Sequence, residues 1–370
     1  MTALREKIGQ LFMLGFAGQS VSPELAALLA EYQPGGLILF ARNLASPTQM
    51  LDLTNDLQKR SPHSPLLIAI DQEGGRVSRL PAGFTIFPPC AMIGRCHSSE
   101  LAYAAAAATA LELRAVGVNM NMAPVLDIHT NPDNPIIGDR AFGSDPDLVC
   151  ELGLATIAGL QDHRVVSCGK HFPGHGDTSA DSHKELPTVA ASRDRLTEAE
   201  LRPFSHVIAQ GEFGPATLMT AHVLYPALDG RFPATLSPAI LTELLREQLR
   251  FDGVVLTDDM EMHAIVDYYG IGEASIRAFQ AGADIILICK DRDRAVAAME
   301  ALYKAVQDGT ISEARMDASL RRIARVKARF LHPYKPADPS TAHMIVGNRT
   351  HRALLGQLLE AGQRSIIAPA

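Results

Sequence analysis

Four clusters of residues able to do acid–base, nucleophilic or hydroxyl-binding chemistry stand where short apolar runs end and polar loops begin. The richest follows the run at 165–171: Lys170-His171-Phe172-Pro173-Gly174-His175-Gly176-Asp177, and then Asp181-Ser182-His183. Three histidines invite a metal reading, and His171 and His175 have tolerable spacing for it. Pro173, Gly174 and Gly176 prevent the helix that i,i+4 ligation requires, so metal is the weaker reading and no metal is expected. Asp181-x-His183 instead suits a carboxylate orienting an imidazole, which makes His183 a candidate general acid/base near neutral pH.

The run at 254–258 ends in Asp258-Asp259. Neighbouring strand residues face opposite ways, so one carboxylate should point toward the strand ends as a nucleophile, while the other caps the following helix. Two capping aspartates are the bland alternative. Asp71-Gln72-Glu73-Gly74-Gly75-Arg76, with Arg79 beyond, places a carboxylate, a glycine turn and two arginines at another strand tip. There Asp71 could accept two sugar hydroxyls, although a salt-bridged turn would use the same residues. Asp139-Arg140 closes a loop rich in Asn, Pro and Gly. Arg140 offers a planar donor fork to a carboxylate, amide or hydroxyl pair, or the two residues only hold the loop in place.

Something must bring these clusters together. Eight apolar runs, at 11–16, 36–40, 66–71, 118–128, 165–171, 217–222, 254–258 and 284–289, mostly lack polar alternation, as strands covered on both faces do. Between them lie helix-start signals: Ser22-Pro23, Ser46-Pro47 with Gln49, Thr197-x-x-Glu200 and Ser237-Pro238. Eight strands alternating with helices predict an α/β fold, a (β/α)8 TIM-type barrel. An open doubly wound sheet is the runner-up, and no Gly-x-Gly-x-x-Gly follows the first run to favour a dinucleotide fold. A helical pattern over 312–330 should close the barrel domain, assigned to 1–332. A Pro-rich linker and a helical tail follow over 333–370, and the helix near 351–364 must dock on the barrel or on a partner.

Composition narrows the partners. Net charge −7 argues against nucleic acid and anionic membrane surfaces, which need a basic footprint. The five scattered cysteines form no CxxC and no evident disulfide framework, which suits a reducing compartment. No signal-peptide pattern opens the chain and no apolar run is long enough to cross a bilayer, so a cytoplasmic monomer without a cofactor is expected.

The four motifs, with Ala221-His222-Val223-Leu224-Tyr225-Pro226, together resemble glycoside hydrolase family 3, and within it the bacterial single-domain β-N-acetylglucosaminidases. The resemblance runs from about residue 8 to about 330. Its most specific part is Asp-x-His in the 181–183 loop, which separates the N-acetylglucosaminidases from the family's β-glucosidases. It implies Asp258 as nucleophile, His183 as acid/base and Asp181 as its partner, with Asp71, Arg79, Arg140, Lys170 and His171 holding the terminal sugar. The implied substrate is a small carbohydrate or muropeptide, cleaved with retention. A phosphorylase of the same family is the alternative, with a metal-dependent hydrolase and a non-catalytic sugar-binding module behind it. The glycine-rich setting of His183 also suggests a loop that swings. The sandwich domain of two-domain members is not expected after the barrel, and the tail has no role in the resemblance.

Overall fold

A computed structural model describes residues 3–179 and 186–367. Eight parallel strands close into a barrel in sequence order: β1 (Phe12–Leu14), β2 (Gly36–Leu39), β3 (Leu67–Ile70), β4 (Met120–Asn121), β5 (Val166–Phe172), β6 (Thr217–Thr220), β7 (Val254–Asp259) and β8 (Ile285–Ile288). β8 returns to β1 with Met13 opposite Leu287, which closes the ring. Nearly all strand residues are buried because side chains fill the barrel on one face and helices cover the other. This accounts for the unbroken apolar runs and excludes the open doubly wound sheet.

β4 is far shorter than the run at 118–128 suggests. Pro124 has no N–H to donate to a ladder. Past Asn121 the chain keeps touching β5 irregularly: the Ala123 and Pro124 carbonyls accept from Cys168 and Lys170 at 2.8 and 3.1 Å. That continuation carries Asp127 to the strand ends.

Helix starts mostly follow their signals. Ser22 and Ser46 accept from the amides of Leu25 and Gln49, each with proline in the first turn. Ser237 accepts from Ile240 ahead of a π-type helix, Ala239–Gln248. Thr197 is an exception. Its hydroxyl donates to the Arg193 carbonyl inside helix Arg193–Glu198, which Ser192 caps through the Arg195 amide. Ser192 supplies the cap upstream, and Glu200, fully buried, takes Arg195 as ion partner instead of completing a capping box.

Helix Glu313–Leu331, capped by Ser312, covers the barrel. Asn55 then holds the following segment through both polar groups of Ala337, accepting its N–H at 3.0 Å and donating to its carbonyl at 2.9 Å. Helices Pro339–Ile345 and Arg349–Ile367 come next, and the second docks on the barrel's own helices Cys90–Arg95 and Ser99–Ala115. Leu358 is fully buried in a cluster that also holds Phe87, Ile128 and Phe142. Among the described residues no helix is long and apolar enough to cross a membrane.

Candidate active site

The carboxyl ends of the strands surround a cavity of about 460 Å³. Asp71, Arg79, Arg140, Lys170, His171 and Asp258 all line it, so six of the eight residues singled out from sequence meet in one place. The other two, Asp181 and His183, lie outside the described residues.

One wall is a desolvated charge network. Lys170, inside β5, places Nζ 3.0 Å from Asp71 and 2.6 Å from Glu73. Arg140 lays its guanidinium fork on Glu73, with Nε and Nη2 each 2.8 Å from a carboxylate oxygen. The Lys170 and Glu73 side chains are 3% and 2% exposed, so these bonds form where water cannot compete. Burial alone would push the Glu73 carboxyl up, but Lys170 and Arg140 outweigh it and hold it well below the usual range. Burial likewise acts to lower the Lys170 ammonium, and Asp71 and Glu73 overcome it and hold it above its ordinary value. Both therefore stay charged at neutral pH. Arg79 lies 3.7 Å from Asp71, an ion-pair distance, and its backbone N–H donates to Gln72 Oε1 at 3.1 Å.

Beside this wall, Asp127 orders the two histidines of the β5 end. It accepts the His171 and His175 amides at 3.1 and 2.6 Å, and its Oδ2 sits 2.7 Å from His171 Nδ1. Burial works to raise Asp127, but the His171 charge and these bonds keep it below the usual carboxylate range. An ionised carboxylate only accepts, so His171 Nδ1 carries a proton and Nε2 is the ring nitrogen not committed to Asp127. Burial, with His171 beside it, lowers His175 to about 4, and its Nδ1 lies 2.9 Å from the Thr178 hydroxyl.

Across the cavity, Asp258 stands near the end of β7 and accepts the Asp259 amide at 2.7 Å. Burial acts to raise its pKa, yet the His171 and His222 imidazoles, that amide and Lys170 together hold it below the ordinary aspartate value. It is thus an ionised, partly dehydrated carboxylate, suited to attack an electrophilic carbon.

Asp259 differs from expectation in two respects. It borders the cavity as well, because the pairing of β7 with β8 shifts between Leu256 and Asp259 and breaks the simple alternation. Nor does it cap the next helix, His263–Tyr269, which has no side-chain cap. Its Oδ1 accepts the Glu261 and Cys289 amides at 3.1 and 3.2 Å and ties the two strand ends together. Burial, with the Glu261 and Asp258 charges behind it, raises Asp259 to about 7. Two carboxyls side by side are thereby set apart in acidity.

Glu73, Asp127 and His222 are site residues that sequence reasoning missed. Glu73 stood within the Asp71 motif, and its carboxylate two residues beyond Asp71 was the available signal. Asp127 was concealed at the end of an apolar run. His222 follows β6 and bridges the Thr235 hydroxyl, at 2.7 Å, to the Asp259 carbonyl, at 3.0 Å. Both residues of the 139–140 pair hold the loop: Asp139 takes Arg76 at 2.7 Å, and Arg140 joins Glu73 and the Ile136 carbonyl of the loop itself. Asn134 joins this loop to the β5 loop by donating to the carbonyls of His175 and Gly176 at 2.9 and 3.0 Å. Among the described residues no three His, Cys, Asp or Glu side chains are arranged to hold a metal ion.

Residues 3–326 match the description "Glycosyl hydrolase family 3 N terminal domain". The chain belongs to glycoside hydrolase family 3. Within the family it is similar to Beta-hexosaminidase A of Pseudoalteromonas piscicida, 38% identical over 364 residues, which cover 92% of this chain and 60% of that protein. The chain thus spans less than two thirds of that relative's length. It is also 38% identical to Beta-hexosaminidase of Nitrosomonas eutropha over 324 residues, 85% of this chain and 91% of that one. Among solved family 3 structures, the β-N-acetylglucosaminidase of Paenibacillus sp. str. FPU-7 superposes with a TM-score of 0.89 at 42% identity, over 98% of this chain and 69% of that one.

Proposed function

We propose that this family 3 protein is a retaining exo-β-N-acetylglucosaminidase. The observation that carries the reading is Asp258, an ionised carboxylate in a cavity whose facing wall is the Asp71–Lys170–Glu73–Arg140 network. That wall is rich in fixed donors and acceptors for sugar hydroxyls and an N-acetyl group. The names β-hexosaminidase and β-N-acetylglucosaminidase, borne by the relatives, support the sugar.

In the first step an Asp258 oxygen bonds to the anomeric carbon. The bond from that carbon to the leaving oxygen breaks, its electron pair stays on the oxygen, and His183 supplies the proton. In the second step the neutral His183 takes a proton from water, whose oxygen displaces Asp258 and restores the β configuration. Asp181 fixes the imidazole and stabilises its cation. Asp71, Arg79, Arg140, Lys170 and His171 hold the terminal sugar, and Glu73 keeps two of them charged and in place. We infer a muropeptide carrying terminal N-acetylglucosamine as the natural substrate of a monomer acting in the cytoplasm. Five unpaired thiols suit that compartment.

The test is turnover of an aryl N-acetyl-β-glucosaminide, followed by trapping with a slow 2-fluoro substrate and mass mapping of the labelled peptide. A label on Asp258, and a fall in kcat of about 10³-fold or more in Asp258→Asn, are expected. Full activity in that variant sinks the reading. Release of sugar 1-phosphate only when phosphate is supplied transfers it to the phosphorylase alternative.

A further inference from the structure

The terminal helix Arg349–Ile367, which has no part in the chemistry above, is tied to the loop that carries Arg79. That loop runs from the end of β3 to helix Cys90–Arg95. Beyond a tight turn that pairs Gly74 with Val77, the Gly75 amide reaches the Phe87 carbonyl at 2.9 Å and the Arg79 amide donates to the Gln72 side-chain oxygen. Arg76 ties the loop's near side to Asp139 and to the Ile136 and Ile137 carbonyls, and Glu112, on helix Ser99–Ala115, holds its later part at Thr85. Glu112 is 1% exposed; Oε2 accepts the Thr85 amide at 2.9 Å, and Oε1 faces His351 Nδ1 at 2.7 Å.

The tautomer of His351 follows from its neighbours. The Asn348 side-chain oxygen Oδ1 accepts the His351 amide at 2.9 Å, so the Asn348 side-chain nitrogen Nδ2 is the atom 3.4 Å from Nε2. An amide nitrogen only donates, so Nε2 accepts and Nδ1 carries the hydrogen given to Glu112. The Gly347 backbone abuts the tip of the same loop: a β-carbon there would stand 2.0 Å from the Gly83 carbonyl oxygen. Leu358, about two turns past His351, shares its buried cluster with Phe87, at the loop's far end. Three residues more than 230 positions later in the chain thus meet the second half of the loop: Gly347 at Gly83, His351 through Glu112 at Thr85, and Leu358 in the cluster of Phe87.

We propose that the terminal helix is a positioning element for sugar binding: His351, acting through Glu112, sets the Thr85 segment and with it the placement of Arg79 against Asp71. Two contacts give His351 this part and not a general packing one. Its N–H completes a buried carboxylate whose other oxygen holds the loop, and a buried carboxylate left half-satisfied recruits water or turns away. The proposal rests on the glycosidase reading for its kinetic consequence, but not for its structural one.

The experiment compares wild type, His351→Phe, His351→Ala, His351→Asn and the exposed control Arg364→Ala in the full chain. It measures kcat and KM on the aryl N-acetyl-β-glucosaminide and amide hydrogen exchange at Thr85 and Arg79. His351→Phe and His351→Ala should raise KM roughly 10-fold with little change in kcat, and should speed exchange at both amides by a similar factor. His351→Asn places an amide N–H where Nδ1 stood and should restore both readouts toward wild type, while Arg364→Ala leaves them unchanged. Unchanged exchange at Thr85 and Arg79 in both deletion variants overturns the proposal, as does a loss of kcat alone. Should wild type fail to turn over the substrate, the glycosidase reading falls, and exchange at the two amides still decides the positioning role.

Discussion

Replacing Glu73 by glutamine keeps the shape of the side chain and removes one buried charge. Three donors converge on this carboxylate, from Lys170 and from the Nε and Nη2 of Arg140, and its side chain is 2% exposed. However the new amide is turned, its NH₂ group faces at least one of those donors. Lys170 keeps Asp71 at 3.0 Å, while Arg140 loses one of its two bonds to this side chain and keeps the other beside the Ile136 carbonyl at 3.3 Å. Breaking a buried ion pair from one side costs about 3–5 kcal/mol, and the surviving Lys170–Asp71 bond places this case near the lower end, about 3 kcal/mol. For a chain of this size that lowers the melting temperature by roughly 4 °C. The two displaced cations line the sugar-binding wall, so kcat/KM should fall on the order of 10²-fold. The pH dependence has a definite sign. The folded-state pKa of Glu73 is depressed, so its stabilisation is complete above the unfolded carboxylate value, about 4.3, and is lost as pH falls toward the folded value. The stability gap between wild type and Glu73→Gln should therefore be full at pH 7 and shrink under acid below about pH 4. Urea unfolding at a series of pH values, with kcat/KM measured alongside, checks this. A gap under about 0.5 kcal/mol at pH 7, or one that does not change with pH, refutes the reasoning.

Other outcomes follow from the same geometry. Asp259→Asn keeps an acceptor for the Glu261 and Cys289 amides and removes a carboxyl whose pKa is raised to about 7. Ionising Asp259 in the folded protein costs stability that grows as pH rises from about 4 to 7, so the variant should gain on wild type across that window. A constant difference between pH 4 and pH 8 in urea unfolding argues otherwise. Asn134→Ala strips the junction of the two active-site loops and leaves the Ile136 and Ile137 amides without their acceptor. It should cost about 3 kcal/mol, measured by thermal or chemical denaturation. A loss under about 0.5 kcal/mol would show that water replaces the side chain without penalty.

Much of the architecture was legible because it depends on local pattern. A strand covered on both faces must be apolar throughout, a Ser-Pro pair favours a helix start, and eight such alternations leave few folds. Loss of the ladder past Asn121 was also readable in principle from Pro124, since a missing N–H is a property of the residue itself. Thr197 shows the limit of the local rule: a cap is a competition, and Ser192 upstream wins it.

The chemistry divides in the same way. The sequence by itself determined that Asp71, Lys170, His171 and Asp258 stand at or beside strand ends, because a closed barrel leaves its strand ends together and the types of these residues are written in the chain. Only the tertiary structure decided what each is for. Glu73 reads as one more acid in a turn until Arg140, 67 residues away, and Lys170, from another strand, close on it. Asp258 and Asp259 are identical side chains with adjacent numbers, yet one is held ionised by His171 and His222 while the other is pushed toward neutrality by burial. The tail likewise carried only a helical pattern, and its docking depends on Leu358 and His351 meeting Phe87 and Glu112. The physical reason is common to all of these. Periodicity and turn chemistry act over a few residues, whereas charge, desolvation and hydrogen-bond partnership depend on distances that exist only once the chain has folded.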